Sequence, residues 1–447
     1  MEKIVVLGGG IGGYYVTREL MKRLNYGEAG VLLVDARPDL EYQPFLAEVA
    51  SGAIRPASVR VPFCPNILGA GFLQATVTGI NAAEKTVSVI RADGGGTKVS
   101  YDQLVVALGC RTYYPPIPGI AEGALGLKSV EDAELIRRGL VRNVADAARL
   151  PKGSPERARL LTFVVVGAGF SGVELFSELL WAAPRLARKV GIAENEFSFH
   201  LIDAADHIIA DLPIEHSRKV IKKLESRGAH VHLETTCDSL LNGVVATSRK
   251  GLYPVGIVVW AACLAPALCL KNSDLPLTLD GRLCCLADMR ATSGSGIVEG
   301  VWGVGDCCRI PDETGDGRPD GSCAPTAQHA MRQAKCLAGN VVASLRGEDL
   351  ADYCHRNAGM VGGFGPGHGV FASGAKKLVF HGFPAWLCHR FYHGMAMPTI
   401  AAKRRIFADY FDRRNLALPR VQAGTSPAAD DRSELGYGQK IAVGPNR

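Results

Sequence analysis

Residues 4–13 read IVVLGGGIGG, and residues 163–172 repeat the pattern as FVVVGAGFSG. Each copy is an apolar run typical of a buried parallel strand, followed by a G-x-G-x-x-G turn and a helical pattern. A single motif of this kind is weak evidence, but its return in the same strand–turn–helix context predicts two dinucleotide-binding folds in one chain.

The glycines of each motif have separate tasks. The first permits a tight turn, the second lets the backbone approach a pyrophosphate, and the third lets the helix pack on the strand. The phosphates then face the exposed N–H groups at the helix N-terminus. The predicted dinucleotide contacts are Gly8, Gly10 and Gly13 in the first copy and Gly167, Gly169 and Gly172 in the second.

Each copy also has an acidic residue at the end of its second apolar run, Asp35 after residues 31–34 and Asp203 after residues 199–202. Both carboxylates are predicted to accept hydrogen bonds from a ribose. The alternative is that each Asp merely begins a surface loop. No Arg follows Asp203 closely, so a 2′-phosphate would meet an unneutralised carboxylate, which favours NADH over NADPH.

Size and composition describe an ordinary globular protein of two or three domains: 447 residues, 47% hydrophobic, 21% charged and 52 Gly. The net charge of +6 gives no support to a nucleic-acid partner. The chain starts with a strand rather than a signal or transit segment, which predicts a cytoplasmic protein. The longest apolar stretch, residues 256–270, is too short to span a bilayer and contains Pro266.

The thirteen cysteines follow no metal-binding spacing, and in a cytoplasmic chain we expect most of them to be reduced core residues. No C-x4-C follows the first glycine motif and no C-x2-C lies in the second fold. Disulfide-reductase chemistry therefore lacks its nucleophiles. Cys110, with Cys263 or Cys323, leaves sulfide:quinone oxidoreductase chemistry open as an alternative.

Two more strand–turn signals, residues 104–109 and 300–306, complete a pattern that resembles the two-dinucleotide-fold flavoprotein superfamily. The resemblance implies an FAD domain made of two separate segments, with the NADH domain inserted between them. It also implies that Gly109 and Asp306 lie in the FAD site. Asp306 has a second interpretation, as the N-cap of the next helix.

Three further stretches, EYQPFLAEVASG at 41–52, FSGVEL at 170–175 and PTAQHA at 325–330, resemble the type II NADH dehydrogenases, also called alternative NADH:quinone oxidoreductases. The resemblance implies that Pro44 lies against the flavin and that Glu174 lies near the nicotinamide and the flavin. It implies that Ala327 and Gln328 lie beside the flavin ring, where Gln328 would hydrogen-bond a quinone.

Alternatives remain for the two predicted catalytic residues. The alternative role of Glu174 is that of an acid stabilised by the helix dipole, and the alternative role of Gln328 is that of a residue that caps the helix. The chain departs from the family at Arg332, where a Gln is common, and at Cys263, where a Gly is common. Arg332 either favours a polar acceptor or simply faces solvent.

The predicted fold class is α/β, with two Rossmann-like domains and a C-terminal amphipathic helical region. Aromatic and basic residues within 383–412 predict a peripheral membrane surface, and a dimerisation or domain-capping helix pair is the alternative. The predicted segments are 1–115 and 281–350 for the FAD domain, 116–280 for the NADH domain, 351–423 for the C-terminal region and 424–447 for a disordered tail.

The pattern predicts an FAD-dependent NADH:quinone oxidoreductase that does not pump protons, with menaquinone or ubiquinone as acceptor, on the inner face of the cell membrane. One alternative is a soluble NAD(P)H-dependent flavoprotein reductase that uses a ferredoxin or a small molecule. Another is a non-catalytic flavoprotein that senses NADH.

Overall fold

The computed structural model describes residues 1–315, 317–374 and 378–412. The predicted disordered tail, residues 424–447, lies outside the described residues, as do residues 413–423 of the predicted C-terminal region.

The elements are numbered along the chain. The strands are β1 Glu2–Leu7, β2 Ala29–Asp35, β3 Asp39–Glu41, β4 Arg60–Pro62, β5 Gly71–Asn81, β6 Thr86–Arg91, β7 Gly96–Ser100, β8 Gln103–Val106, β9 Cys110–Thr112, β10 Thr162–Val166, β11 Ser198–Ile202, β12 Ala229–His232, β13 Cys237–Leu241, β14 Val244–Thr247, β15 Leu252–Pro254, β16 Ile257–Trp260, β17 Leu264–Pro266, β18 Leu283–Cys284, β19 Arg290–Thr292, β20 Ile297–Gly303, β21 Cys308–Arg309, β22 Gly359–Gly363, β23 Gly369–Ser373 and β24 Val379–His381. The helices are α1 Ile11–Arg23, α2 Leu46–Ser51, α3 Phe63–Asn66, α4 Ile120–Gly123, α5 Val130–Ala147, α6 Pro155–Leu160, α7 Phe170–Arg188, α8 Ile214–Glu225, α9 Ala327–Arg346, α10 Phe383–Ala396 and α11 Ile400–Phe411.

The chain divides into two compact units. Unit 1 comprises residues 1–42, 60–111 and 264–358, and unit 2 comprises residues 43–59, 112–263 and the described residues from 359 onward. The sequence placed residues 43–59 with the FAD domain, whereas the structure groups them with unit 2 because α2 packs on α5 and α7.

Unit 1 is built on a sheet of order β19-β20-β8-β1-β2-β5-β6-β7. Its five central strands, from β20 to β5, run parallel, and antiparallel strands extend both edges. Residues 4–7 are fully buried, as expected of a parallel strand covered on both faces. Helix α1 follows β1 directly and packs against α9.

Unit 2 contains a parallel sheet of order β12-β11-β10-β16, with every residue of β10 buried. Helix α7 packs on β10 and β11, and α5 packs on β16. The repeated strand–turn–helix of the sequence is therefore β1–α1 in unit 1 and β10–α7 in unit 2. These are the two Rossmann-like folds that the repeated motif predicts.

The C-terminal region contains the predicted helix pair, α10 and α11, and also an antiparallel meander, β22–β23–β24, which the sequence did not predict. Its Gly-rich strands lack the alternation that marks a strand. The glycines are there because packing is close: a Cβ on Gly363 would lie 2.8 Å from the Nδ1 of His389.

Three histidines cluster on the sheet of unit 2. The Nδ1 of His200 lies 3.0 Å from the Nε2 of His232, and the ring of His230 stacks on His200 with centroids 5.0 Å apart. Burial, together with these two neighbours, lowers the pKa of His200 to about 4. The folded chain therefore keeps this imidazole neutral at pH values where a solvated histidine is charged.

We expect acid to destabilise the protein through His200. The unfolded chain binds a proton at an ordinary pKa of about 6.5, while the folded chain binds it only near 4, so stability falls as the pH drops through that window. In His200→Gln, the fall in Tm between pH 7 and pH 4.5 should be smaller than in the wild type by a few degrees, as measured by thermal melting. The control is His230→Gln, which changes the exposed neighbour of His200. Equal pH slopes for wild type and His200→Gln would contradict the prediction.

Candidate functional site

The first glycine motif has no room for side chains at two of its three positions. Gly8 has φ +93°, and a Cβ there would lie 2.5 Å from the carbonyl oxygen of Ala107. A Cβ on Gly13 would lie 1.8 Å from the carbonyl oxygen of Gly8. Both positions therefore require glycine, so that α1 can rest directly on the end of β1.

Gly10 differs from its neighbours because a Cβ there would meet no described protein atom within 4 Å. It is the N-cap residue of α1, with φ −64° and no side-chain cap. The open space lies where the helix N-terminal N–H groups are exposed, which fits a pyrophosphate. The extra glycine, Gly9, has another cause: its Cβ would lie 2.1 Å from the buried ring of Phe63.

Asp35 is held at the end of β2 by two backbone groups. The Gly9 N–H donates to its Oδ2 at 2.6 Å, and the Arg37 N–H donates to its Oδ1 at 2.8 Å. The carboxylate thus ties β2 to the glycine turn, which a residue that only begins a loop would not do. Each carboxylate oxygen accepts more than one hydrogen bond, so this arrangement is compatible with the predicted ribose contact.

Gly109 and Asp306 lie beyond the carboxyl ends of β8 and β20, which neighbour β1 in the parallel sheet. Four predicted FAD residues therefore share one edge of unit 1: Gly8, Asp35, Gly109 and Asp306. Ligands of open α/β sheets bind at this edge. The alternative role of Asp306 as a helix N-cap is wrong, because Thr326 caps the next helix, α9, and accepts from the His329 N–H at 3.2 Å.

Ala327 and Gln328 form the first turn of α9. Thr326 is the N-cap of this helix. The Oε1 of Gln328 instead accepts from the Nε2 of His355 and from the Ala358 N–H, both at 2.9 Å. Gln328 therefore fastens residues 355–358 to the start of α9.

Two neighbours of Gln328 on α9 clarify its surroundings. Arg332 is exposed and donates to the carbonyl oxygen of Gln328 at 3.3 Å, which matches the solvent-facing interpretation. Sequence reasoning missed Gln333, which is 3% exposed and accepts from the Gly305 N–H at 3.0 Å. It holds the turn that carries Asp306, and only the tertiary packing of α9 reveals it.

The second glycine motif repeats the geometry of the first. Gly167 has φ +106° and its Cβ would lie 2.5 Å from the Ala262 nitrogen, while a Cβ on Gly172 would lie 1.9 Å from the Gly167 carbonyl oxygen. A Cβ on Gly169, the N-cap of α7, would meet nothing within 4 Å among the described residues. The residues of unit 2 therefore offer the same fit to a dinucleotide as those of unit 1.

Asp203 also repeats the arrangement of Asp35. Its carboxylate accepts from the Ala168 N–H and, at 2.8 Å, from the Ala205 N–H. Close by in sequence, Asp206 pairs with His207 at 2.5 Å and raises the pKa of that imidazole. No arginine lies in the 203–209 turn, so this edge suits a ribose hydroxyl better than a phosphate.

Glu174 lies beyond the first turn of α7 and points to the C-terminal meander. Its Oε1 accepts from the Gly363 N–H at 3.0 Å, and its side chain is 15% exposed. Burial raises its pKa to about 8. The helix-dipole alternative accounts for none of these contacts.

Pro44 lies in the short turn that leads into α2, within unit 2. Beside it, Gln43 and Lys128 exchange hydrogen bonds, from the Gln43 Nε2 to the Lys128 carbonyl (3.1 Å) and from the Lys128 Nζ to the Gln43 Oε1 (3.3 Å). The following residue, Phe45, is fully buried. The predicted flavin contact of Pro44 remains a prediction.

Two of the cysteines named for sulfide chemistry, Cys263 and Cys323, have poor surroundings for a nucleophile. Burial raises the pKa of the Cys323 thiol to about 11. Burial, with a contribution from Asp203, also raises the pKa of the Cys263 thiol. A thiol that stays protonated reacts slowly.

Comparison with known proteins agrees with this geometry. Residues 2–334 match the family model described as pyridine nucleotide-disulphide oxidoreductase. The demethylphylloquinone reductase NdbB of Synechocystis is 28% identical, with 86% of this chain and 93% of that protein covered. The type II NADH:quinone oxidoreductase of Staphylococcus aureus is 27% identical, with 83% and 89% covered.

Among solved structures, the NDH2 of Plasmodium falciparum in complex with NADH superposes with a TM-score of 0.80 at 17% identity, covering 92% of this chain and 97% of that one. This likeness confirms the predicted fold class. The resemblance to the type II NADH dehydrogenases is confirmed as well.

The two glycine motifs can be tested separately, with one substitution in each. Gly10→Val and Gly169→Val each place a side chain where the folded protein has space, so each should act on the ligand rather than on the fold. We expect Gly10→Val to purify without yellow flavin and Gly169→Val to stay yellow but to bind NADH at least about tenfold more weakly. Flavin absorbance per protein and NADH titration measure the two effects. A fully yellow Gly10→Val protein would show that unit 1 does not hold the flavin through this motif.

Proposed function

Because the chain belongs to the pyridine nucleotide-disulphide oxidoreductase family, we propose that it is an FAD-dependent NADH:quinone oxidoreductase. The observation that carries this proposal is the repeated glycine turn, in which the same glycine and aspartate contacts occur once in each unit. The names of the Synechocystis and Staphylococcus relatives support a quinone as acceptor.

The cofactors are FAD, held by unit 1, and NADH, bound by unit 2. The assigned FAD contacts are Gly8, Gly10, Gly13, Asp35, Pro44, Gly109, Asp306 and Ala327. The assigned NADH contacts are Gly167, Gly169, Gly172 and Asp203. The motif geometry supports the glycines and aspartates, while Pro44 and Ala327 rest on the resemblance in sequence.

FAD, when bound, supplies the group that accepts a hydride from NADH and returns two electrons to the acceptor. The chain's own residues bind and orient FAD, NADH and the acceptor, and they set the protonation of nearby groups. Asp203 binds the NADH ribose and repels a 2′-phosphate. Glu174, with its raised pKa of about 8, holds a proton at neutral pH on α7, the helix that follows the second glycine motif.

Gln328 remains our choice for the residue that orients the quinone, menaquinone or ubiquinone. The resemblance in sequence supports this role, and the two hydrogen bonds that its Oε1 accepts hold the side chain in place. The rival is a soluble reductase with a ferredoxin or small-molecule acceptor. A sulfide:quinone oxidoreductase is disfavoured by the raised thiol pKa values of Cys263 and Cys323.

The outer face of α10 supports a peripheral membrane surface within residues 383–412. Phe383, Leu387, Phe391 and Met395 recur every fourth residue and are 59, 52, 60 and 46% exposed. An apolar aromatic stripe with basic residues nearby, as on α11, suits a lipid interface. The described residues contain no helix with the length and apolarity needed to cross a bilayer. We place the enzyme on the inner face of the cell membrane; a homodimer interface is the competing use of this stripe.

The two half-reactions test the function. We expect NADH to bleach the bound flavin and a soluble quinone to restore its colour, both followed by anaerobic stopped-flow absorbance. Gln328→Ala should slow reoxidation by about tenfold and leave bleaching nearly unchanged, because the half-reactions use different contacts. Bleaching without reoxidation by quinone would favour the soluble reductase or the non-catalytic NADH sensor.

Two controls separate the roles of Gln328. Lys335→Ala changes an exposed residue of the same helix and should leave both rates unaltered. His355→Ala removes one of the groups that Gln328 holds without touching its amide. If His355→Ala slowed reoxidation as much as Gln328→Ala, the glutamine would act by fastening residues 355–358, and its role in orienting quinone would be wrong.

The proposed membrane surface can be tested with two double variants, one on α10 and one elsewhere in unit 2 as its control. Phe383→Glu with Leu387→Glu should reduce cosedimentation with vesicles of phosphatidylglycerol and phosphatidylcholine several-fold, because two charges would enter the apolar interface. Leu241→Glu with Leu252→Glu changes exposed leucines elsewhere in unit 2 and should leave binding intact. Undiminished binding of the α10 variant would assign the stripe to another role, and a loss of dimer in light scattering would identify it.

A further inference from the structure

The C-terminal part of unit 2 has an unusual charge content. Residues 359–408 contain no Asp or Glu, although they contain six Lys and Arg residues and four His residues. In the whole chain the two signs are nearly balanced, with 44 acidic and 50 basic residues. The stretch covers the meander β22–β23–β24, all of α10 and most of α11. Its formal charge is therefore entirely positive, which suits an anionic surface.

A row of basic side chains on α8 extends this positive region. Its members follow one another at intervals of three or four residues and so share one side of the helix, with the last member just beyond the helix end. These members, here called the basic row, are His216, Lys219, Lys223 and Arg227. Glu215 contacts the start of the row, with its Oε1 3.3 Å from the Nε2 of His216. Glu225 lies two residues from its nearest member, so it faces another side of the helix.

Both ends of the basic row contact the meander. At the start of the row, the Nδ1 of His216 lies 2.8 Å from the Nε2 of His381 on β24, and the two rings stack. At the other end, Arg227 donates to the carbonyl oxygen of Phe364 at 3.0 Å. A Cβ on Gly365 would lie 3.3 Å from the Nη2 of this guanidinium. The row therefore runs along the meander from β24 to the turn between β22 and β23.

The two lysines of the row act on imidazoles of the meander. Burial lowers the pKa of His368, and the charges of Arg227 and Lys223 lower it further. Burial and its partner imidazole on α8 lower the pKa of His381, and the charge of Lys219 adds to this effect. Lys219 and Lys223 themselves are exposed. Their positive charges thus face the acid-free meander on one side and solvent on the other.

A further cation, Arg185 of α7, lies at the Arg227 end of the row. Burial lowers the pKa of Arg227, the acid Glu178 opposes this, and the charge of Arg185 lowers the pKa again. Glu178 is only 2% exposed, so it lies on the buried side of Arg227. Arg185 is held by Trp181, whose ring centre is 4.5 Å from its guanidinium carbon. An anion that approached from solvent would therefore meet several cations together.

Exposed apolar side chains lie at the other end of the row. Ile214 is the first residue of α8, Leu378 precedes β24, and Phe383 begins α10 two residues after His381. All three are exposed. They join the basic row to the apolar stripe of α10. Cations beside exposed apolar groups fit the head groups and acyl chains of a lipid surface better than they fit a nucleic acid.

We propose that the basic row of α8 binds the phosphate groups of anionic phospholipids, next to the outer face of α10. This inference rests on the peripheral membrane surface proposed for residues 383–412. Lys219, Lys223 and Arg227 supply donors and charge for the lipid phosphates, while the apolar residues at the start of the row enter the interface. The membrane would then contact unit 2 along two helices, α8 and α10, and its binding would depend on the lipid charge.

Cosedimentation with vesicles tests this site without turnover. At about 0.1 M salt, the wild type should bind vesicles of phosphatidylglycerol and phosphatidylcholine about tenfold or more tightly than vesicles of phosphatidylcholine alone, and added salt should reduce the difference. Lys219→Gln with Lys223→Gln should weaken binding to the mixed vesicles about tenfold, because each lysine near an anionic surface adds severalfold to the affinity. Both lysines are exposed, so an unchanged Tm will show that the variant is folded.

The control is Lys152→Gln with Lys250→Gln, which removes two charges from exposed positions elsewhere in unit 2 and should leave vesicle binding nearly unchanged. Equal losses in the two lysine variants would overturn the proposal, because net charge would then account for the binding. Equal binding of the wild type to both kinds of vesicle would overturn it too. So would binding of a DNA duplex that the α8 substitutions abolish while vesicle binding persists.

The outcomes separate this site from the proposals on which it rests. If Phe383→Glu with Leu387→Glu loses vesicle binding and the α8 variant keeps it, the stripe of α10 binds the membrane and the basic row does not. If the α8 variant alone loses binding, the basic row binds lipid and the role of the stripe is wrong. Cosedimentation needs no acceptor, so a failure of flavin reoxidation by quinone would overturn the proposed activity and leave the lipid result standing.

Discussion

The close approach of helix to strand at each glycine turn is the constraint on which both proposed nucleotide sites depend. A Cβ on Gly13 would come within 1.8 Å of the Gly8 carbonyl oxygen, and one on Gly172 within 1.9 Å of that of Gly167. Because the helix rests directly on the strand, its free N–H groups face the carboxyl edge of the sheet. The aspartate that ends the second strand then reaches the turn and fixes its conformation.

The sequence was informative where the chemistry is local. Strand, glycine turn and acidic strand end lie within a few dozen residues of each other, so Gly8, Asp35 and their counterparts in unit 2 were predictable together with the fold. Gln333 and His389 were not predictable, because segments distant in the chain bring their partners to them. The grouping of residues 43–59 with unit 2 was not predictable for the same reason, since it depends on the packing of α2 on α5 and α7.

Two buried acids, Glu48 of α2 and Glu178 of α7, lie within the field of a cation that aromatic rings hold in place. The guanidinium of Arg390 lies 4.6 Å from the ring centre of Trp386 and 4.3 Å from that of Tyr410. Stacking between two π faces stabilises a buried arginine without a direct carboxylate partner. Burial raises the pKa of both Glu178 and Glu48, and the charge of Arg390 opposes that rise at each of them.

Unit 1 is made of separate segments of the chain, and this affects the order in which the protein folds during its synthesis. Strand β8 pairs with β20, which ends at Gly303, so the central sheet of unit 1 cannot close until the ribosome has delivered nearly two hundred residues beyond β8. The parallel sheet of unit 2 is complete once Trp260 has emerged. The order of synthesis therefore lets the parallel sheet of unit 2 assemble first, while β8 waits with one unpaired edge, which is the stage at which a chaperone has most to protect.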